Sequence, residues 1–215
     1  MKKGSVWYWN GDFDGCFDDL GYRELFTRWY QWAAFLPVFR GHGTDCRREL
    51  WYCANADVPF YDVLKETNRL RYSLMPYIYS AAGNCWLKDG SMMLPLAFDW
   101  PEDETAKKIT DQYMFGDSIM VCPVTNPMYY LPESKKIESE KTRKVYLPEG
   151  GWYDFYTNAY YKGGGYIISN APIDKIPLFV REGSVIPLCE PAGSTEELSG
   201  DIRLRVYSGR DKEYE

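Results

Sequence analysis

Val6-Trp7-Tyr8-Trp9-Asn10-Gly11-Asp12-Phe13-Asp14-Gly15 is the stretch on which the fold turns. Val6 to Trp9 is an unbroken apolar run of the length of a buried strand, and Asn10 to Gly15 is a polar, glycine-containing loop directly behind it. Tyr22 to Phe35 follows, with Leu25, Trp29, Trp32 and Ala33 at helical spacing, Arg23, Glu24 and Arg28 between them, and Pro37 closing the run. Strand, polar loop and amphipathic helix make the repeating unit of a parallel α/β fold.

The pattern then recurs. Phe35 to Phe39 reads as a second buried strand opening into Arg40-Gly41-His42-Gly43-Thr44-Asp45. Val63 to Trp86 predicts one long helix, with Leu64, Leu70, Leu74, Ile78 and Ala82 near one face and a kink at Pro76, which lacks an N–H and crowds the preceding turn. Two successive βα units with polar loops after the strands predict part of a parallel α/β architecture over residues 1–90. At 215 residues the chain is shorter than a complete barrel, which takes about 250.

Beyond Asp89-Gly90 the character changes to short β-rich runs separated by proline, glycine and charge. They are Met92 to Phe98, Ser118 to Cys122, Arg143 to Leu147, Gly151 to Tyr156, Tyr166 to Ser169, Ile176 to Val180 and Ser184 to Leu188. Such a series predicts a β-sandwich over residues 91–200. Ile202 to Tyr207 reads as a further strand and Lys212 to Glu215 as the start of its partner in a hairpin. Glu133 to Lys141 reads as a solvated loop, and Gly163-Gly164-Gly165 as a turn.

Composition narrows the function. Lys and Arg number 25 against 31 Asp and Glu, a net charge of -6, which argues against a nucleic-acid partner. Aromatic residues make up 17%, including 8 Trp and 19 Tyr, an excess that suits stacking on sugar rings as well as core packing. With one histidine and no CxxC pair, a histidine-based metal site and a zinc ribbon are both disfavoured. No P-loop, dinucleotide fingerprint or EF-hand loop is present, so no cofactor is expected. No apolar run approaches a membrane span, and the opening residues hold none long enough for a signal peptide. The spacing of Cys16, Cys46, Cys53, Cys85, Cys122 and Cys189 favours free thiols.

Asp12 and Asp14 stand behind the first strand with Tyr8, Trp9 and Phe13 beside them. Paired carboxylates on an aromatic surface suit glycoside chemistry, one protonating the leaving oxygen and one attacking or activating water, but the same residues also build turns by bonding backbone amides. His42, between Arg40 and Asp45, can be a general base, a donor to a hydroxyl or a structural partner. A hydrolase triad has no nucleophile motif to rest on.

In order along the chain, Tyr8-Trp9-Asn10-Gly11-Asp12-Phe13-Asp14-Gly15, Arg28-Trp29-Tyr30-Gln31-Trp32-Ala33, Phe39-Arg40-Gly41-His42-Gly43 and Arg71-Tyr72-Ser73-Leu74-Met75-Pro76-Tyr77-Ile78-Tyr79 resemble segments of glycoside hydrolase family 31, the α-glucosidases and α-xylosidases. Asp111-Gln112-Tyr113-Met114-Phe115-Gly116-Asp117, Val121-Cys122-Pro123-Val124 and Leu147-Pro148-Glu149-Gly150-Gly151-Trp152-Tyr153-Asp154 resemble its barrel-to-sandwich and sandwich motifs. The resemblance implies part of a retaining α-glycosidase acting on α-glucosides or α-xylosides, with residues 1–90 as the last two βα units of its (β/α)8 barrel, residues 91–200 as its β-sandwich and residues 201–215 as the start of a further β domain. It also implies that the nucleophile and acid/base aspartates lie on earlier barrel strands, since neither motif occurs here. The isolated chain is therefore expected to be inactive, with the remainder of a parent chain as its partner. By the same resemblance Asp12, Trp9, Arg40 and His42 bind substrate, His42 through a sugar hydroxyl. Where the family has two glycines and an aromatic residue, this chain has Asp14, Gly15 and Cys16, and Phe17 is the candidate to replace the aromatic wall.

Two rival readings remain at this point. One is a carbohydrate-binding β-sandwich module without catalysis; the other is a self-contained hydrolase using Asp12 and Asp14.

Overall fold

The structure, a computed structural model, describes residues 16–42, 47–198 and 200–209, together with the backbone of residues 6–8. The chain divides into two compact units, one formed by Met1–Asn68, Pro123–Arg143 and Asn170–Ile176, the other by Arg69–Cys122, Lys144–Ser169 and Pro177–Glu215.

In the first unit β1 (Val6–Tyr8) pairs in parallel with β2 (Arg40–His42), Val6 opposite Arg40 and Tyr8 opposite His42. Helix α1 (Leu20–Ala33) connects them, giving the expected βαβ order. The second strand begins at Arg40 rather than in the apolar run Phe35 to Phe39. Phe35 and Leu36 instead prolong the end of α1, their N–H groups donating to Trp32 and Ala33 carbonyls at 3.0 and 3.1 Å. A helix terminus can bury a short apolar run as fully as a strand does, so burial alone misplaced the element.

The helix expected over Val63 to Trp86 is two helices, α2 (Phe60–Ser73) and α3 (Met75–Leu87). Pro76 lies in the first turn of α3, where a missing N–H costs no hydrogen bond. It starts a helix instead of kinking one.

What holds the first unit together is a row of buried polar side chains on α1. Glu24, 1% exposed, accepts the N–H groups of Met128, Tyr129 and Tyr130 at 2.7, 2.9 and 2.8 Å. One turn on, Arg28 donates to the carbonyls of Ala171, Pro172 and Lys175 at 3.0, 2.9 and 3.1 Å. Gln31 donates to Ile173 O at 2.7 Å. Burial pushes the Arg28 guanidinium down to about 10 while the Glu24 charge works the other way. At the helix start, Asp19 caps Gly21 N and also accepts from Glu133 and Ser134 N, both left-handed at φ 65 and 55. Gly21 has no room for a side chain, because a Cβ there would lie 2.3 Å from Leu131 O.

Strands β3 (Met93–Pro95), β4 (Tyr113–Phe115) and β5 (Ile119–Val121) belong to the second unit, while β6 (Tyr130–Leu131) and β7 (Lys135–Lys136) form a small hairpin in the first. The chain continues through β8 (Thr142–Leu147), β9 (Gly151–Asp154), β10 (Tyr160–Lys162), β11 (Gly165–Asn170), β12 (Leu178–Arg181), β13 (Val185–Leu188) and β14 (Arg203–Val206). A six-stranded sheet has the order β10-β9-β12-β5-β4-β3, beside two-stranded pairs β8 with β11 and β13 with β14. The run from Met92 to Phe98 is strand only to Pro95, after which Leu96–Asp99 turns into a short helix, α4. The partner strand expected at Lys212 to Glu215 lies outside the described residues.

The core of the second unit gathers Leu96, Met114, Met120, Cys122, Leu147, Trp152 and Phe179. Trp152 is fully buried with its Nε1 donating to Pro148 O at 2.9 Å, and Arg181 lies 4.6 Å above the Trp100 ring while paired with Asp99. Tyr77 of α3 donates to Phe115 O at 2.6 Å and accepts from Ser118 N at 3.2 Å. Between those residues Gly116 adopts φ +61, and a Cβ there would strike the Tyr77 hydroxyl at 2.3 Å.

Two predictions follow from α1. Glu24→Ala strips the acceptor from three N–H groups and takes from buried Arg28 the larger of its carboxylate countercharges, leaving Asp174. It should cost about 3–5 kcal/mol in urea denaturation, with Glu24→Gln costing less. Asp19 has a carboxyl that partial burial works to raise, but hydrogen bonds from Ser134, Glu133 and Gly21 hold it below its ordinary value. A pKa depressed on folding contributes stability above the unfolded value of about 3.9, and this is lost as pH falls through the lower folded value. The urea midpoint should therefore drop on acidification below about pH 4, and less so in Asp19→Asn.

Candidate substrate-binding site

In a parallel sheet the residues available for chemistry lie at the carboxyl ends of the strands and in the loops that follow. His42 is the last residue of β2 and Arg40 its first, so with one residue between them their side chains share a face of the strand. Both are exposed, and Arg40 Nη2 lies 3.1 Å from His42 Nδ1. Of the sequence-derived candidates these two are brought into contact. Trp9 and Asp12 lie outside the described residues, as do Asp14 and Asp45.

Phe17 is placed differently from an open wall. It is 6% exposed, edge-on to Tyr22 and Phe26 at 5.1 and 5.0 Å and stacked on Tyr52 at 5.9 Å. Cys16 beside it is disulfide-bonded, which corrects the expectation of free thiols throughout, whereas Cys53, Cys85, Cys122 and Cys189 are free. Burial pushes the Cys53 thiol up to about 12, which leaves it no role as a nucleophile at neutral pH.

Arg23 escaped sequence reasoning. It looked like one more polar residue between the apolar positions of α1. In the structure its Nε donates to Phe17 O and its Nη1 to Ala54 O at 2.8 Å, so one guanidinium ties the segment following β1 to the segment following β2. Tyr52 makes the same connection through its stack on Phe17, and accepts a 2.6 Å hydrogen bond from Arg47 within its own segment. Trp51, 61% exposed on the short helical turn Leu50–Cys53, is a second residue without a flagging motif. Among the described residues no group of His, Cys, Asp and Glu side chains could hold a metal ion, and no helix is long and apolar enough to cross a membrane.

A parallel βαβ unit with a paired arginine and histidine at its strand end, in a chain that goes on into antiparallel sheet, defines a barrel-end piece joined to a β-domain. Residues 5–81 match the TIM-barrel domain of glycosyl hydrolase family 31, and residues 89–186 match the C-terminal domain of the same family. The chain belongs to glycosyl hydrolase family 31.

The α-xylosidase of Saccharolobus solfataricus is 38% identical over 214 residues, covering 97% of this chain and 27% of that protein. Neutral α-glucosidase C of Mus musculus is 36% identical over 85% of this chain and 20% of its own length. Among solved structures, the family 31 α-xylosidase of Xanthomonas citri superimposes with a TM-score of 0.77 at 40% identity, over 87% of this chain and 20% of that one. The Flavobacterium johnsoniae family 31 dextranase, complexed with glucose, gives 0.74 at 27% identity, over 89% of this chain and 22% of that one. The chain thus spans 20–27% of the length of these relatives.

Arg23→Met removes a charged donor from two backbone carbonyls, an interaction worth about 1.5–3 kcal/mol. Amide exchange in residues 47–54 should quicken by about tenfold or more while that in α3 is unchanged.

Proposed function

We propose that this chain is the substrate-binding end of a retaining α-glycosidase acting on α-glucosides or α-xylosides. In this reading residues 1–90 contribute the last two βα units of the (β/α)8 barrel, residues 91–200 a β-sandwich that supports it, and residues 201–215 the start of a further β domain. The observation that carries the proposal is the Arg40–His42 pair on β2, with His42 at the strand's carboxyl end, inside a segment matched to the family's TIM-barrel domain. An α-glycoside offers only neutral hydroxyl and ether oxygens, and an exposed arginine and histidine supply donors to them. The resemblance assigns Asp12 and Trp9 to substrate binding as well, while Phe17 packs against Phe26 and Tyr52.

The nucleophile and acid/base aspartates are assigned to polypeptide outside these residues. A retaining mechanism needs two carboxylates about 5 Å apart, and the family's pair is not in this sequence. The purified chain should therefore leave a nitrophenyl α-glucoside and α-xyloside intact. In a longer protein that contains it and hydrolyses either substrate, His42→Ala should lower kcat/KM by about ten- to a hundredfold, the value of one or two polar contacts. Hydrolysis by the isolated chain, abolished by Asp12→Asn, would favour the self-contained two-aspartate enzyme.

A non-catalytic carbohydrate-binding module is the second reading, favoured by Tyr160 and Tyr166, which are 54% and 50% exposed on β10 and β11. It expects calorimetric sugar binding by the whole chain that Tyr160→Ala or Tyr166→Ala weakens and His42→Ala does not.

A further inference from the structure

We propose that the outer stripe of α3, formed by Tyr79, Ala82, Gly83 and Trp86, is a self-association surface through which two copies of this chain pair antiparallel about a two-fold axis.

Helix α3 runs for thirteen residues without a charged side chain, and it is apolar on two sides. One side is used within the chain: Tyr77 and Ile78 are buried, and the Tyr77 hydroxyl donates to Phe115 O at 2.6 Å. On the other, Tyr79 is 80% exposed, Trp86 85% and Leu87 76%. A helix that is apolar all round is one that ends up enclosed, and an exposed apolar patch marks a surface for a partner. Tyr79, Ala82, Gly83 and Trp86 follow the i, i+3, i+4, i+7 spacing that puts them on a single stripe.

Gly83 shows what kind of surface fits. A glycine inside a helix destabilises it relative to alanine, so its presence there calls for a packing reason. Among the described residues there is none, since Gly83 has no left-handed backbone and a Cβ on it would meet nothing within 4 Å. With Ala82 beside it, Gly83 leaves a shallow saddle between two large rings, where a second helix backbone can approach closely.

A second copy of α3 has the complementary shape. Tyr79 and Trp86 stand equally far from the midpoint between Ala82 and Gly83, about 10 Å apart along the helix axis. An antiparallel copy crossing at that midpoint sets Tyr79 against the partner's Trp86 and small residues against small, an isologous contact that closes at two chains. The chain has a net charge of -6, but α3 brings no charge to the crossing, so no like-charge repulsion arises there. A buried Tyr or Trp removes about 150–250 Å² from water, so the four rings alone cover about 600–1,000 Å². The Leu87 side chains on the flank bring the total toward the ~1,200 Å² at the low end of specific interfaces.

Sedimentation equilibrium of the whole chain between about 1 and 200 µM reads the outcome. The expected result is a monomer–dimer equilibrium, with the mass rising from 25.1 kDa toward twice that value and dissociation in the micromolar range. Trp86→Lys and Tyr79→Lys should each weaken the dimer about tenfold or more. Gly83→Ala separates the interface from the fold: it should raise the thermal midpoint of the dilute monomer, by removing a helix glycine, and yet weaken dimerisation about tenfold. Ile168→Lys, at a position 66% exposed on β11, controls for nonspecific association and should leave the dimer unchanged.

A monomer at the highest concentration overturns the proposal and leaves the stripe to a partner of another kind. Open-ended association overturns it too, as does a dimer that Trp86→Lys and Gly83→Ala leave intact or that Ile168→Lys weakens equally. Should Trp86→Lys lose its helical circular dichroism, Gly83→Ala decides alone.

Discussion

The carboxylate of Glu24 is the constraint around which the first unit is organised. A buried charge is costly unless it is paired and hydrogen-bonded, and Glu24 is both, with three backbone N–H groups on its oxygens and the Arg28 charge one turn away. Those N–H groups come from residues 128–130, and the carbonyls that satisfy Arg28 come from residues 171–175, segments distant in sequence from α1 and from each other. Helix α1 therefore does two jobs. Its apolar side, with Phe26, Tyr30 and Ala33, contributes to the core, and its buried polar side gathers chain that would otherwise expose unpaired backbone groups. A hydrophobic helix could supply the first but not the second.

Much of the architecture is legible locally. The β1-to-α1 transition follows from an apolar run, a polar loop and a helical period, and most strands of the second unit coincide with short apolar runs bounded by glycine and proline. The failures share a cause. Phe35 to Phe39 looks like a strand because burial was the only signal, and Phe35 and Leu36 are buried at a helix end. Pro76 looks like a kink because nothing local says that Leu74 already separates two helices. Strands β4 and β10, three residues each, are too short to show a period, and their place in the sheet is set by partners such as β5 and β9.

The candidate site divides the same way. Arg40 and His42 stand out because the chain's one histidine sits in a glycine-rich run, two residues from an arginine. Arg23 does not, since its value lies in two carbonyls, of Phe17 and Ala54, that are thirty-seven residues apart and meet only in the fold. Phe17 is legible as aromatic but not as buried, because its ring partners Tyr22, Phe26 and Tyr52 come from two different elements. Residue type reveals which groups can do chemistry; non-local hydrogen bonds decide which of them are held still enough to do it.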